Sequence, residues 1–417
     1  MTMKNSSIAQ YLAVASRLPR LEQTSEKPLN VGFLAPLSGP AKSWGTPGLN
    51  GCQIWVDSVN ATGGLTVGTQ RRSVNLIAFD CADDFETMQK GAKQLIEGDD
   101  VQLLMTLGGE ALQAIQPYLN SQGVLTSTLL PSDLSPDTPY LIAPSEVHPV
   151  YAVTGVEHLC SRYEPRSVAL CAQDDAMGLP SLATYRAAFE VEGVEVVSEL
   201  QYAAEGDDAQ RIVGEMMQTS PDVMCWCTSY KPMVHALTKA AFDAGFQGRL
   251  LSCTADGYRE MIVNTSPEFM EGFTFQFPDF DDPALADRPF FFHNPRQFYL
   301  EYNKRFPDSW SAVSWEYVAI LEIWKTAVES ALTANSNSVL AAMKQTGNVT
   351  HAFGPANWWG RDLFGVDNAL VGDWPVVQIL DGKARIVAYG SVADWLTKHG
   401  DVLKREMERL GQMWFQR

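Results

Sequence analysis

The chain has no run of 18 or more apolar residues, so no segment reads as a helix that crosses a bilayer. G-x-G-x-x-G, P-loop, H-E-x-x-H and G-x-S-x-G patterns are absent. With them go the usual signatures of dinucleotide binding, nucleotide hydrolysis, zinc proteolysis and the serine nucleophile elbow. Histidine is scarce: His148, His158, His235, His293, His351 and His399 are scattered with no pair at metal spacing, and each reads as a surface or internally satisfied polar residue. Basic residues are outnumbered, 31 Lys and Arg against 49 Asp and Glu, for a formal net charge of -18. A surface that acidic repels phosphate backbones and anionic lipid, which argues against nucleic acid and membrane-surface partners. Seven cysteines are an odd number, so one at least has no partner within the chain. Cys171, Cys225, Cys227 and Cys253 lie in or beside apolar, strand-like runs, where a free thiol acts as a small hydrophobe; that usage leans to a reducing compartment. Cys52 and Cys81 are the one pair to be entertained as a disulfide. Cys225 and Cys227 sit two apart in a short run without further ligands beside them, which does not make a metal site.

What is present is globular: 46% hydrophobic and 19% charged residues. At 417 residues the expectation is two domains. The N-terminus reads two ways. Lys4 followed by Ile8 to Ala15, with Ala13 and Ala15 in an A-x-A arrangement, has the outline of a signal peptide interrupted by Gln10. The other reading is a short amphipathic helix or a disordered leader over residues 1–28.

Leu29 to Gly64 organises the rest. An apolar run (Val31, Phe33, Leu34) passes through Pro36, Ser38, Gly39 and Pro40 into a helical pattern with Ile54, Trp55 and Val59 on one face. Strand, loop and helix in that order start a βαβ unit, and the loop at the strand's carboxyl end is where open parallel sheets hold ligands. Strands at 73–80, 101–106, 124–130 and 140–143 alternate with helices at 85–97 and 110–121. The rhythm restarts after Pro144 with helices at 148–163, 179–192, 207–218 and 231–244 and strands at 167–172, 194–200, 223–227 and 249–253. Mainly parallel sheets with helices on both faces follow. Beyond the Pro-rich, acidic stretch 278–295, helices at 296–306, 312–333 and 339–345 precede a hairpin with its turn at Asp381-Gly382. A last helix is expected from about Val392 to Phe415, packing on the second lobe or mediating self-association through Met407, Leu410, Met413 and Trp414.

VGFLAPLSGPAKSWG followed by NGCQIWVDSVNATGGL, the acidic strand end FDCADD, and FGPANWWGRDLFG together resemble the periplasmic binding proteins of the leucine/isoleucine/valine family. These are the substrate receptors of branched-chain amino acid-type ABC importers, and the likeness runs from about Leu29 to Tyr389. It implies an α/β chain of two doubly wound lobes joined by a three-crossover hinge, the type 1 periplasmic binding fold. Lobe 1 would comprise 29–145 and 278–353, lobe 2 would comprise 146–277 and 354–391, and 392–417 would be a C-terminal helix. Crossovers would fall near Pro144 to Glu146, Phe277-Pro278 and Phe353 to Pro355.

The resemblance also implies where a ligand is held. Lobe 1 would offer Trp44, Gly108-Gly109-Glu110 and Leu130-Pro131-Ser132; lobe 2 would offer Met177, Ser229 or Tyr230, and Asp256. The residue types suit the task. Gly108 and Gly109 ahead of a helix let backbone N–H groups approach a ligand, Trp44 and Tyr230 can close on an apolar or cationic body, and Asp256 can accept from an ammonium or amide. Relatives that bind amino acids carry a Ser or Thr pair where this chain has Gly109 and Glu110. A carboxylate there disfavours an anionic ligand by on the order of a few kcal/mol, pointing to an amide, urea-like compound or amine. Alternatively Glu110 is a solvent-facing helix residue favoured by the dipole. Asp174-Asp175 and Asp281-Asp282 read as solvated loop pairs, with Asp175 kept as a minor cleft candidate. Trp358-Trp359 read as packing residues beside a crossover.

Three functions remain. The first is a periplasmic solute receptor that closes on a small ligand and docks on the permease of an ABC importer. The second is a cytoplasmic ligand sensor on the same fold, like the amide-responsive regulators of amidase operons. The third, an enzyme on this scaffold, has no positive support. No catalytic residue, metal or cofactor is expected.

Overall fold

A computed structural model describes residues 27–417 apart from 40, 83, 146, 204–207, 287–293, 346–348 and 352. The leader, except for its last two residues, lies outside the described residues, as do Pro40, Asp83, Glu146 and part of the 278–295 stretch.

Strand β1 (Leu29–Ala35) is buried along its whole length, as the unbroken apolar run requires of a strand covered on both faces. The chain then forms helix Lys42–Ala61, the small hairpin β2 (Leu65–Val67) and β3 (Gln70–Arg72), and β4 (Val74–Asp80), parallel to β1. β5 (Leu103–Thr106) pairs with the other edge of β1, and the short β6 (Thr126–Ser127) and β7 (Leu141–Ile142) complete a five-stranded parallel sheet in the order β4-β1-β5-β6-β7. The order reverses beside β1, so the loops after β1 and β5 diverge and leave a crevice.

The second sheet repeats the device. β8 (Ser167–Gln173), β9 (Glu195–Tyr202), β10 (Val223–Cys225), β11 (Arg249–Leu251) and β12 (Thr274–Phe275) are parallel, with β8 between β9 and β10. Antiparallel strands β13 (Val349–His351), β14 (Gly354–Trp359), β15 (Ala369–Leu380) and β16 (Lys383–Ser391) extend it to nine. The turn between β15 and β16 has positive φ at both Asp381 and Gly382, the geometry that matches strand twist.

Between β12 and β13 the chain forms helices Pro295–Arg305, Val313–Ala331 and Ser336–Gln345. Val313–Ala331 lies along Lys42–Ala61, where Tyr317 meets Phe33 at 4.7 Å between ring centroids and Glu322 accepts from Trp55 Nε1 at 2.7 Å. Where segments pass between the sheets, aromatic rings from several of them share one core. Tyr151 stacks on Trp374 at 4.6 Å and 17°, Phe277 and Phe353 meet Trp374 edge-on, and Trp374 Nε1 donates to the Gln276 carbonyl at 3.0 Å. A bridge from Ala143 to Ala369 links the two sheets directly.

Several expectations need correction. The last helix is Val392–Arg409 and stops ahead of Gly411, whose φ is +70°. It packs on helix Gly178–Val191 through Arg186–Glu406 and Arg405–Glu190 ion pairs, with Arg409 paired to Glu199 on β9, and Met407 and Met413 are buried within the chain. The helix expected from His148 begins as the single 3-10 turn Val150–Ala152 and continues as Val153–Tyr163. The expected strand 124–130 pairs only over Thr126–Ser127 before Pro131 opens another turn. All seven cysteines are buried, and no disulfide joins Cys52 to Cys81.

The packing of Lys42–Ala61 on Val313–Ala331 depends on small residues. A Cβ on Gly51 would lie 1.9 Å from the Ser314 carbonyl oxygen. On an exposed helix Gly to Ala gains roughly 1 kcal/mol; here G51A should instead lose about 1–3 kcal/mol through overpacking, read as a lower urea midpoint with unchanged slope.

Candidate functional site

The loops at the carboxyl ends of β1 and β5 face those of β8, β10 and β11, and the lobes touch across them. The Trp44 ring, in the first turn of its helix, lies 4.8 Å from the Tyr230 ring at a 45° tilt. At the rim the Glu110 carboxylate accepts from the Ala176 N–H at 3.0 Å, and the Ser132 hydroxyl donates to the Ala176 carbonyl at 3.4 Å. Asp256 accepts from the Ala312 N–H at 3.2 Å. These contacts describe a closed cleft.

Beneath the Trp44–Tyr230 contact is a cavity of about 40 Å³. Trp44, Leu107, Leu129 and Leu130 wall it from the first sheet's side, Met177, Thr228, Cys253 and Thr254 from the second, with Val313 and Glu316 at the start of helix Val313–Ala331. His148, Tyr151 and Phe277, beside the passages between lobes, close it. Nearly all of this surface is apolar. Glu316 is a buried carboxylate, 2% exposed, on a helix face otherwise made of Val, Trp, Tyr and Ile.

His148 is oriented by a chain of hydroxyls. Its Nε2 is 2.9 Å from Thr228 Oγ1, and the Thr228 hydroxyl donates to Ser181 Oγ at 2.9 Å. Nε2–H is therefore the donor, which leaves Nδ1 as an acceptor with no partner among the described residues. Burial lowers this imidazole's pKa to about 3, so the ring is neutral.

The sequence-derived residues divide into groups. Trp44, Leu130 and Met177 line the cavity; Tyr230 is not among its lining residues but meets the Trp44 ring, and its N–H donates to Gln173 at 2.9 Å. Glu110 and Ser132 are rim contacts between lobes. Gly108 and Gly109 have φ of +111° and +88°, but the Gly109 N–H is given to both oxygens of Asp133, at 3.1 and 3.2 Å, rather than presented to a ligand. Asp133 also accepts from Thr128 and Gln113, and burial pushes its pKa up to about 6. A Cβ on Gly108 would fall 2.3 Å from that carboxylate. The Ser229 hydroxyl donates to the Trp226 carbonyl at 2.8 Å and meets the Tyr202 hydroxyl, away from the cavity. Asp256 faces a neighbouring hollow of about 300 Å³ with Lys231, Tyr258, Arg259 and Asp279, separated from the cavity by Phe277 and Ala312. Burial raises the Asp256 pKa to about 6 as well.

Asp175 is a helix-start acceptor, taking the N–H groups of Met177 and Gly178 at 2.9 and 2.8 Å. Trp358 lies under Lys344 in a groove against the C-terminal helix, outside the cleft. Among the described residues no group of three or more His, Cys, Asp or Glu side chains is arranged to hold a metal ion. Sequence reasoning missed His148, Thr228, Phe277 and Glu316. Only Glu316 left a signal, as a carboxylate amid the apolar run Val313 to Trp324.

The depressed pKa of His148 has a calculable effect. Its neutral form stabilises the fold fully above the unfolded value near 6.5, and that contribution is lost as pH falls toward 3. Between pH 7.5 and pH 5 the protein should lose about 2 kcal/mol more than H148Q does, measured by urea unfolding at the two pH values.

Residues 28–384 match the sequence profile of the periplasmic binding protein family. No curated protein sequence matches the chain. Among solved structures, the leucine-binding protein LivK of Thermotoga maritima is 17% identical, with 88% of this chain and 99% of that chain covered at a TM-score of 0.70. A solute-binding protein of an ABC transporter from Rhodopseudomonas palustris, in complex with p-hydroxybenzoic acid, is 17% identical over 88% of this chain and 98% of its own, with a TM-score of 0.71. A substrate-binding protein of an ABC transporter from Aeropyrum pernix is 15% identical over 92% and 100%, with a TM-score of 0.76. At such identities these likenesses speak for the two-lobed fold, and together with the profile match over most of the sequence they establish that the chain belongs to the periplasmic binding protein family.

Proposed function

We propose that the chain is the solute receptor of an ABC importer, closing its lobes over one small ligand and presenting the closed form to a membrane permease. The observation that carries this reading is the cavity itself: it lies between the lobes, is bounded by both, and is shut by the Trp44–Tyr230 contact and the Glu110–Ala176 rim bond. A pocket of that kind exists only in the closed form, so ligand and closure are thermodynamically linked. Relatives of the same fold include a p-hydroxybenzoic acid complex and a complex of LivJ from Streptococcus pneumoniae with isoleucine, which supports a small organic solute. The ligand belongs among short amides, urea-like compounds, amines and amino-acid-like molecules. Glu110, engaged with a backbone N–H of the other lobe, acts on closure.

Family membership favours a periplasmic or extracellular place. A cytoplasmic sensor on the same fold is favoured by one observation, the seven buried cysteines with no disulfide among them. The mature N-terminus of protein from its native cell separates the two.

The receptor reading is tested by a thermal-shift panel of amino acids, amides, ureas, amines and aromatic acids, with small-angle scattering on each hit. A ligand at about 100 times its Kd should add roughly 2.7 kcal/mol and shrink the radius of gyration. A panel that neither stabilises nor compacts the protein would reject a receptor for these solutes. W44A should weaken a confirmed hit by at least tenfold, as expected for a buried aromatic at the centre of a contact surface.

A further inference from the structure

Two helix starts meet across the cleft, and each is filled from within the chain. Helix Glu110–Gln122 begins after Gly109, whose N–H is held between both oxygens of Asp133, a carboxylate only 5% exposed. Thr128 and Gln113 donate to the same group. Gly108 and Asp133 are matched, because a Cβ at position 108 would run into that carboxylate. Helix Gly178–Val191 begins opposite, where Asp175 takes the N–H groups of Met177 and Gly178. The N–H just ahead of these, that of Ala176, is taken by Glu110 from the other lobe. Backbone N–H groups at a helix start are where an anionic ligand is ordinarily held; here three carboxylates of the chain itself hold them. The loops that carry these groups, 107–111, 128–135 and 173–178, contain no lysine or arginine. The Arg417 guanidinium, from a distant part of the sequence, offsets part of the Asp133 charge.

We infer that the receptor selects solutes that carry no carboxylate, and that Asp133 is the residue that decides it. The inference rests on the receptor reading and deepens it. Asp133 ends the 3-10 turn Pro131–Asp133, which directly follows Leu130, a wall residue of the cavity. An entering carboxylate would find the N–H donors of these loops engaged and three acidic groups beside them in a water-poor space, where like charges repel most strongly. A carboxamide of the same shape brings no charge and has N–H donors of its own. Of the three acidic residues Asp133 is the most deeply buried, and so the least screened by solvent.

The test is isothermal titration of the full chain at pH 7.5, above the values near 6 to which burial raises Asp133 and Asp175. The probes are acids and amides of one skeleton: propionate and propionamide, isoleucine and isoleucinamide, p-hydroxybenzoate and p-hydroxybenzamide. Within any pair that binds, the amide should bind at least tenfold more tightly. D133S removes the charge and frees the Gly109 N–H, so it should tighten the acid at least tenfold and leave the amide within a few fold. D133N removes the charge alone and should narrow the same gap by a smaller factor. If neither variant folds, the order within the pairs on the unaltered protein decides. An acid that binds the unaltered chain more tightly than its amide would overturn the inference and leave the receptor standing. So would folded variants whose acid-to-amide ratio is that of the unaltered chain. If all six probes are silent, the compound that stabilises the protein in the wider panel decides. One without a carboxylate upholds the inference, a carboxylate overturns it, and silence of the whole panel overturns the receptor reading as well.

Discussion

The structure turns on the stacking of Trp374 against Tyr151. The two rings come from segments more than two hundred residues apart, one beside the first passage between the lobes and the other on β15, and Phe277 and Phe353 pack edge-on against the same indole. Because the Trp374 N–H is given to the Gln276 carbonyl, the ring is fixed in plane as well as in position, and a buried indole donor is satisfied. The segments that any lobe motion must bend are thus pinned at one place. Residues of that same core, Tyr151 and Phe277, also line the cavity, so the hinge and the cavity wall share side chains.

Much of the architecture was legible in the sequence because strand and helix periods are local properties. The alternation from Leu29 onward, the hairpin around Asp381-Gly382 and the apolar stripe of Val313–Ala331 all depend on neighbours along the chain. Element ends were less legible. The C-terminal helix stops at Arg409 because Gly411 takes a left-handed conformation, while its charge pattern continues past that point.

The site was legible where it depends on loop position and illegible where it depends on long-range pairing. Trp44, Leu130 and Met177 follow strand ends, and strand ends can be counted. The fate of the Gly109 N–H could not be read, because it depends on Asp133, which lies in a different loop and is brought in by Thr128 and Gln113. Asp133 in effect takes the place an anionic ligand would occupy at that helix start. His148 gave no signal at all: its role follows from burial and from a hydroxyl chain reaching Ser181 in another helix.

The rim bond between Glu110 and Ala176 is made to a backbone N–H. No side chain at position 176 contributes to it, so substitutions there, and among the cavity walls beneath, leave its acceptor and donor in place. The rim bond is therefore independent of the wall's side chains, whereas the Trp44–Tyr230 contact is not, because Trp44 belongs to both. A lineage, or an engineer, can rewrite the remaining wall residues and inherit that clasp unchanged.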